Sequence, residues 1–406
     1  MENPLVHNRD IILFGLQPWD IAIGSNFKNM ALEMAKHNRV LYVNRPLDRI
    51  SYLKKQGDPQ IKARIEAFKE GKNLFTEVTK NLWAFNPRLI VESINFLPPG
   101  FVYNTLNRRN NKKLAKEIVW AAGELHFKDY IVVIDNDFFH AQYLKEFIDP
   151  PAFIYYIRDF LLSQQYFMRH GHKAESALMK KADAVVANSQ YLSNYAGRHN
   201  KHAADIGQGC DVEDFLEQPE TAPRDMAGIH SPVIGYCGSL TATRLDITLI
   251  HFIATEKPDW NIVLVGPEDD AFRRSALHGL ANVHFTGAKD PAELPGYVHA
   301  FDVCINPQVL NQMTIGNYPR KVDEYLAAGK PVVATKTEAM EIFAQQVYLC
   351  TSKEEYIGAI SKAIEAAHDR EKIAQRKELA RSHTWQASVN GLYQMIIKLD
   401  NERNGR

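Results

Sequence analysis

The chain has 406 residues, 48 Lys+Arg against 48 Asp+Glu, 45% hydrophobic and 24% charged. That make-up belongs to a globular protein too long for one ordinary domain. A formal net charge of +0 argues against a nucleic-acid binder working by bulk charge, so any anion site must be local.

Short apolar runs alternate with helical patterns from the start. In the first half, strands are expected at 11–16, 40–44, 82–86, 130–135, 152–157, 184–188 and 203–207. Most are continuous apolar runs, as strands covered on both faces require. Helical patterns lie between many of them, over 25–36 and 106–121 for example. The run Phe96-Leu97-Pro98-Pro99-Gly100-Phe101-Val102-Tyr103 is apolar and reads as a non-helical loop. Arg108, Arg109, Lys112, Lys113 and Lys116 follow it. Apolar insertion beside a basic helix suits an anionic membrane surface or a lipid-linked acceptor, so Phe96 to Lys116 is a candidate for peripheral membrane contact. A lid loop beside a solvated helix face is the plainer alternative.

The stretch 217–231 is polar, carries Pro219, Pro223 and Gly228, and reads as a linker. It divides an N-terminal domain, 1–216, from a C-terminal domain, 232–383, with a last helix over 384–406. In the second domain strands are expected at 233–237, 262–265, 283–286, 303–306, 332–335 and 347–350, with helices over 291–299, 321–328 and 354–367. Alternation of this kind predicts an α/β protein of two doubly wound, Rossmann-like domains. Ligands in such sheets sit beyond the carboxyl ends of the strands.

Cys210, Cys237, Cys304 and Cys350 are widely spaced and form no CxxC pair, so buried thiols are expected rather than disulfides or zinc. No apolar run reaches the roughly 20 residues of a membrane-spanning helix. The opening Met1-Glu2-Asn3-Pro4 lacks the pattern of a secretory leader, which leads to the expectation of a cytoplasmic protein.

The most telling stretch is Asn317-Tyr318-Pro319-Arg320-Lys321-Val322-Asp323-Glu324, a loop entering a helix that stops at Gly329 before another buried strand. A helix start with Arg320 and Lys321 favours phosphate. Glu324, one turn in, can accept hydrogen bonds from a ribose diol. Upstream, Gly238 and Ser239 end one strand and Gly266 and Pro267 end the next; glycine there lets phosphates approach the backbone. Arg244 offers a further positive charge. Each turn alone is ordinary, but together they point to one rim of the second sheet.

These segments, in order, resemble the retaining GT-B glycosyltransferases of family 4, closest to the branch with teichuronic-acid-type and other surface-polysaccharide transferases. The likeness runs through Gly235-Tyr236-Cys237-Gly238, Pro258 to Pro267, Leu294-Pro295-Gly296-Tyr297, Phe301 to Ile305 and the Asn317 stretch. It extends to Trp19-Asp20-Ile21, Asn188-Ser189, Gly207 to Val212 and Trp385. The resemblance implies two domains facing across a cleft, a C-terminal helix over 384–406 packing back on the first domain, a UDP- or GDP-sugar donor on the second and a glycan or lipid-linked acceptor on the first. It implies that Lys321 and Arg320 neutralise the diphosphate, that Glu324 holds the ribose, and that Gly238, Ser239, Arg244, Gly266, Pro267 and Tyr318 line the donor site. No metal or other cofactor is then required. Two positions depart from the family pattern. Gly316 stands eight before Glu324, where many members carry a glutamate, and Ser239 replaces an arginine.

On the first domain, Trp19, Asp20, Gly24, Ser25 and Asn26 form a loop that can face the acceptor or cap a helix. The triplet Asp135-Asn136-Asp137 reads as cleft-lining or capping rather than metal-binding, with Asp137 on the acceptor side. Asp159 is a candidate to orient the acceptor hydroxyl or act as a weak base, with an Arg158–Asp159 pair as the plainer reading. His140 reads as a helix-start residue. Two rival functions stay open, a nucleotide-sugar 2-epimerase of the same layout and a catalytically silent glycan-binding homologue.

Overall fold

The computed structural model describes residues 6–21, 25–55 and 57–405, the side chain of residue 60 excepted. The chain divides into two compact units, residues 1–207 with 385–406, and residues 208–384.

In the first unit the strands are β1 (Asp10–Gly15), β2 (Arg39–Val43), β3 (Leu47–Asp48), β4 (Phe75–Thr79), β5 (Leu82–Phe85), β6 (Ile90–Val91), β7 (Ile131–Asp135), β8 (Phe153–Ile157), β9 (Ala184–Ala187) and β10 (Ala203–Asp205). Eight of them form one sheet, ordered β10-β9-β8-β7-β1-β2-β5-β4, while β3 and β6 make a separate pair. All pairs in the large sheet are parallel except β4–β5. The alternation within β1 explains the layering. Ile12 and Phe14 enter one core with Leu114 and Ile118 of the Phe101–Glu124 helix. Ile11 and Leu13 enter the opposite core with the Asn26–Ala35 helix and Trp385, Val389, Leu392 and Tyr393 of the Trp385–Asn404 helix. Successive side chains on a strand point to opposite faces, so an unbroken apolar run feeds both cores.

The second unit repeats the scheme with β11 (Val233–Cys237), β12 (Asn261–Val265), β13 (Val283–Gly287), β14 (Val303–Asn306), β15 (Val332–Thr335) and β16 (Val347–Cys350), ordered β13-β12-β11-β14-β15-β16 and wholly parallel. The order reverses between β11 and β14, so the carboxyl ends of β11, β12 and β14 form the natural crevice. All four cysteines are buried and unpaired.

Expected strands form within two residues of their expected ends, and the principal differences lie elsewhere. The antiparallel edge strand β4 was illegible because Thr76, Glu77 and Thr79 are exposed and break the apolar signal. Phe101 to Tyr103, read as part of a loop, instead open a helix that runs to Glu124. The helix breakers end at Gly100, and nothing in Phe-Val-Tyr opposes helix. The helix expected over 291–299 splits into a turn, Pro291–Glu293, and a helix, Leu294–Ala300. The stretch 217–231 is part of the second unit rather than a linker. Met226 is buried in that unit's core, and Asp225 holds both Tyr297 Oη at 2.6 Å and Lys289 Nζ at 2.7 Å.

Candidate active site

At the carboxyl ends of β11 and β12 two glycines let the backbones touch. Gly238 N–H donates to the Val265 carbonyl at 2.8 Å, and Leu240 N–H to that of Pro267 at 2.9 Å. Gly266 has φ +145, and a Cβ there would lie 1.9 Å from the Gly238 carbonyl oxygen. Only glycine fits that position. Ser239 and Pro267 stand exposed on the rim beside this junction.

The Arg320–Ala327 helix supplies the charge. Val322, Tyr325 and Leu326 are buried, while Arg320, Lys321 and Glu324 share the other side at helical spacing. The helix is tied to β11 because Cys237 N–H donates to Tyr325 Oη at 2.8 Å. Its first turn is held by Asp323, which accepts from Tyr318 Oη at 2.9 Å and meets His383 Nδ1 at 2.7 Å. Lys321 reaches back over β11. Its Nζ donates to Tyr236 Oη at 2.7 Å and lies 4.6 Å from that ring's centroid. A Cβ on Gly238 would stand 3.1 Å from Lys321 Nζ, so the ammonium sits directly beside the glycine turn. Glu324 is half-buried; burial raises its pKa against the pull of Arg320 and Lys321. Arg320 lies 3.7 Å from Asp211 Oδ2.

The structure therefore gathers Gly238, Ser239, Gly266, Pro267, Lys321 and Glu324 at one rim. Arg244 is exposed in the loop after β11, with no ion-pair partner among the described residues. Tyr318 departs from expectation. Its ring is buried and its hydroxyl also lies 3.0 Å from His383 Nδ1, so it supports the helix from the core instead of facing a ligand. Sequence reasoning gave Tyr236 no role. It stands two residues before Gly238, at the carboxyl end of β11, and that spacing was the available signal.

In the first unit Ser25 is the helix cap, its Oγ accepting from Lys28 N–H at 3.2 Å, and Asn26 begins the helix. Trp19 packs edge-on against Tyr42, and Asp20 pairs with Arg64 at 2.7 Å. Gly24 lies outside the described residues. The Asp135-Asn136-Asp137 side chains are spent internally. Asp135 accepts from Arg158 Nε at 2.7 Å. Asn136, at φ +52, accepts from Arg158 N–H and donates to the Asp159 carbonyl, both at 2.8 Å. Arg158 also lies 3.3 Å from Asp159 Oδ2, so the plainer pairing forms, and it holds a part-exposed carboxylate at the end of β8.

Asp137 is 1% exposed, caps the Phe138–Ala141 turn and meets His140 Nδ1 at 2.8 Å, with Arg45 at 3.5 Å. Burial pushes its pKa up, but His140 and Arg45 outweigh this and hold it down at about 2. Asp137 thus does not line the acceptor side itself, contrary to expectation. His140 and Arg45 stand on the wall of a cavity of about 1380 Å³ within the first unit.

Comparisons with known proteins bear on this geometry. Residues 231–367 match the family described as Glycosyl transferases group 1. TuaH of Bacillus subtilis (strain 168), named as a teichuronic acid biosynthesis glycosyltransferase, is 30% identical over 241 residues, 55% of this chain and 58% of that protein. The chain thus spans less than two thirds of that relative's length. Among solved structures, sucrose-phosphate synthase from Thermosynechococcus elongatus superposes with a TM-score of 0.66 at 16% identity, over 97% of this chain and 100% of that one. Anabaena HepE in complex with UDP gives 0.63 at 18%, also over 97% and 100%. At these identities the structural likeness speaks to fold alone, and the fold is the two-unit α/β architecture of GT-B glycosyltransferase structures.

Proposed function

We propose that this chain is a glycosyltransferase that takes a nucleotide-diphosphate sugar on its second unit and passes the sugar to a glycan or lipid-linked acceptor. The observation that carries the reading is the meeting of Lys321 Nζ with the Gly238 turn, one helical turn from Glu324. The glycine turns admit the diphosphate to the backbone, with Ser239 at their edge. Lys321, Arg320 and Arg244 neutralise charge on the departing diphosphate, which is electrostatic stabilisation of the transition state. Glu324 accepts from the ribose diol. Transfer breaks the bond between the anomeric carbon and the diphosphate oxygen and makes one to an acceptor hydroxyl oxygen. The hydroxyl proton passes to the leaving diphosphate or to a carboxylate held as Asp159 is.

The finer reading follows the family resemblance: a retaining family 4 enzyme, metal-independent, building cell-surface polysaccharide at the inner face of a membrane. UDP in a HepE complex and the name of TuaH support the donor class and the pathway. The test is turnover. Lys321→Ala and Glu324→Ala should each cost roughly 100-fold or more in rate while the melting temperature stays within a few degrees. Wild-type rates in both variants would overturn the site. A thermal-shift screen of UDP-, GDP- and ADP-sugars identifies the donor, because a ligand of the native state raises its melting temperature.

A further inference from the structure

A cavity of about 340 Å³ lies within the second unit, between the starts of the Ile247–Glu256 and Lys353–Glu365 helices and the carboxyl ends of β15 and β16. It is at the small end for small-molecule sites, which suits one sugar ring rather than a whole nucleotide. The residues gathered at the donor rim lie outside its lining.

Printed contacts bring its walls together. Leu245 and Gln308 face each other in an antiparallel bridge; Asp246 N–H donates to the Pro307 carbonyl and Val309 N–H to that of Arg244, both at 2.9 Å. Asp246 and Gln308 therefore stand on paired segments. Tyr356 ties the Lys353–Glu365 helix to β14 and β15, its Oη 2.8 Å from Thr335 Oγ1 and donating to the Asn306 carbonyl at 3.2 Å. Lys353 ties the same helix to Ile247–Glu256, its Nζ 4.5 Å from the Phe252 ring centroid.

Two oxygens of this lining have no donor. Gln308 is 7% exposed, yet its Oε1 meets no hydrogen-bond partner. An unpaired buried oxygen costs free energy, so it calls for a donor that the chain does not supply. Asp246 accepts from Thr248 N–H at 2.9 Å, Thr248 Oγ1 at 2.6 Å and Leu249 N–H at 3.0 Å, all through Oδ1. Its Oδ2 is left with no partner among the described residues.

The ligand's chemistry follows by exclusion. An anion would meet the Asp246 carboxylate, and the helix-start N–H groups of Thr248, Leu249 and Glu355 are already engaged, the last by Ser352 Oγ at 3.2 Å. A cation would meet Lys353. A nucleobase needs an open ring, but Phe252 carries Lys353 and Tyr356 is buried. A hydrocarbon would leave both oxygens unpaired. A saccharide brings O–H donors to Gln308 and Asp246 and C–H edges to Leu249, Val309 and Leu310.

We infer that this cavity is a saccharide-binding site apart from the donor rim, taking one neutral sugar residue on Gln308 and Asp246. The residue is a free sugar or the end of a glycan, which present the same hydroxyls.

The test is calorimetric titration of the full chain with the methyl glycosides of glucose, galactose, mannose and N-acetylglucosamine, with and without excess UDP. At least one should bind at a single site, equally in both conditions. A trisaccharide of that sugar binding roughly 10-fold tighter points to a glycan end, and equal or weaker binding to a free sugar. Gln308→Met keeps the volume and should weaken the glycoside roughly 10-fold or more, while the melting temperature holds or rises because an unpaired oxygen is gone. Thr248→Arg, at an exposed position of the lining, should weaken it likewise by filling the cavity. The thermal shift given by UDP should be the same in both variants. The inference is overturned if no glycoside binds, if UDP displaces it, if methylammonium, phosphate or adenosine binds as tightly in excess UDP, or if both variants bind as the wild type does.

Discussion

Lys321 has its place because two neighbours lack or bend something. Gly238 offers no side chain, and Tyr236 turns its hydroxyl toward the ammonium at 2.7 Å. Gly266 is the stricter requirement, since its φ of +145 and the Gly238 oxygen both exclude a Cβ. Gly266→Ala should destabilise the second unit by about 3 kcal/mol or more, from backbone strain and forced separation of β11 and β12. It should also abolish any thermal shift by nucleotide. Thermal unfolding with and without UDP checks both, and a variant with the wild-type melting temperature would contradict the close approach. The glycines and Lys321 were legible one by one in the sequence. Tyr236 was not, because a tyrosine in an apolar strand reads as core until the lysine that meets it, 85 residues away, is seen to arrive.

Among the elements, the Arg320–Ala327 helix shows how an amphipathic pattern becomes a site. Its buried side is tied to β11 through Tyr325 and to Tyr318 and His383 through Asp323, and these ties fix where Arg320, Lys321 and Glu324 stand. The start and stop of this helix were readable from such spacing, whereas the start of the Phe101–Glu124 helix and the edge strand β4 were not, since an exposed edge strand carries no apolar run. A buried carboxylate joins three other elements. Glu175, on the Gln165–Lys181 helix, accepts from Tyr155 Oη of β8 at 2.8 Å and from Tyr195 Oη of the Gln190–Gly197 helix at 2.9 Å. Burial raises its pKa to about 7, against the pull of both tyrosines. A carboxyl raised in the folded state favours folding below its unfolded value, roughly pH 4.5, and that advantage is lost as pH rises to about 7. Glu175→Gln should therefore remove a decline of roughly 2–3 kcal/mol across that window. Urea unfolding of both proteins from pH 4.5 to 8 measures it; parallel profiles would show that Glu175 ionises normally.

For the molecule as a whole, the chain leaves the first unit after residue 207 and returns at 385. The returning helix buries Trp385, Val389, Leu392, Tyr393 and Ile396 in the first unit's core, and Tyr393 Oη accepts from Asn38 Nδ2 at 2.8 Å. Five such side chains at roughly 1.5–3 kcal/mol each approach the stability of an entire domain. A chain ended at Thr384 should lose its folded first unit, whereas residues 208–384 alone should fold and keep their nucleotide-dependent thermal shift. Circular dichroism melts of the two truncations decide this, and a soluble, cooperatively melting 1–384 protein would refute the role given to the last helix. The sequence alone determined the strands of the two large sheets other than β4, the parallel α/β class and the rim that carries Lys321 and Glu324, since apolar period, glycine and helix-start charge are local signals. Only the tertiary structure decided that Tyr318 and Asp137 are spent internally, that Met226 draws residues 217–231 into the second unit, and that Arg45, Arg169 and Phe96 share one cavity. Those outcomes turn on which side chains meet across long separations in sequence, and packing sets that where no periodicity records it.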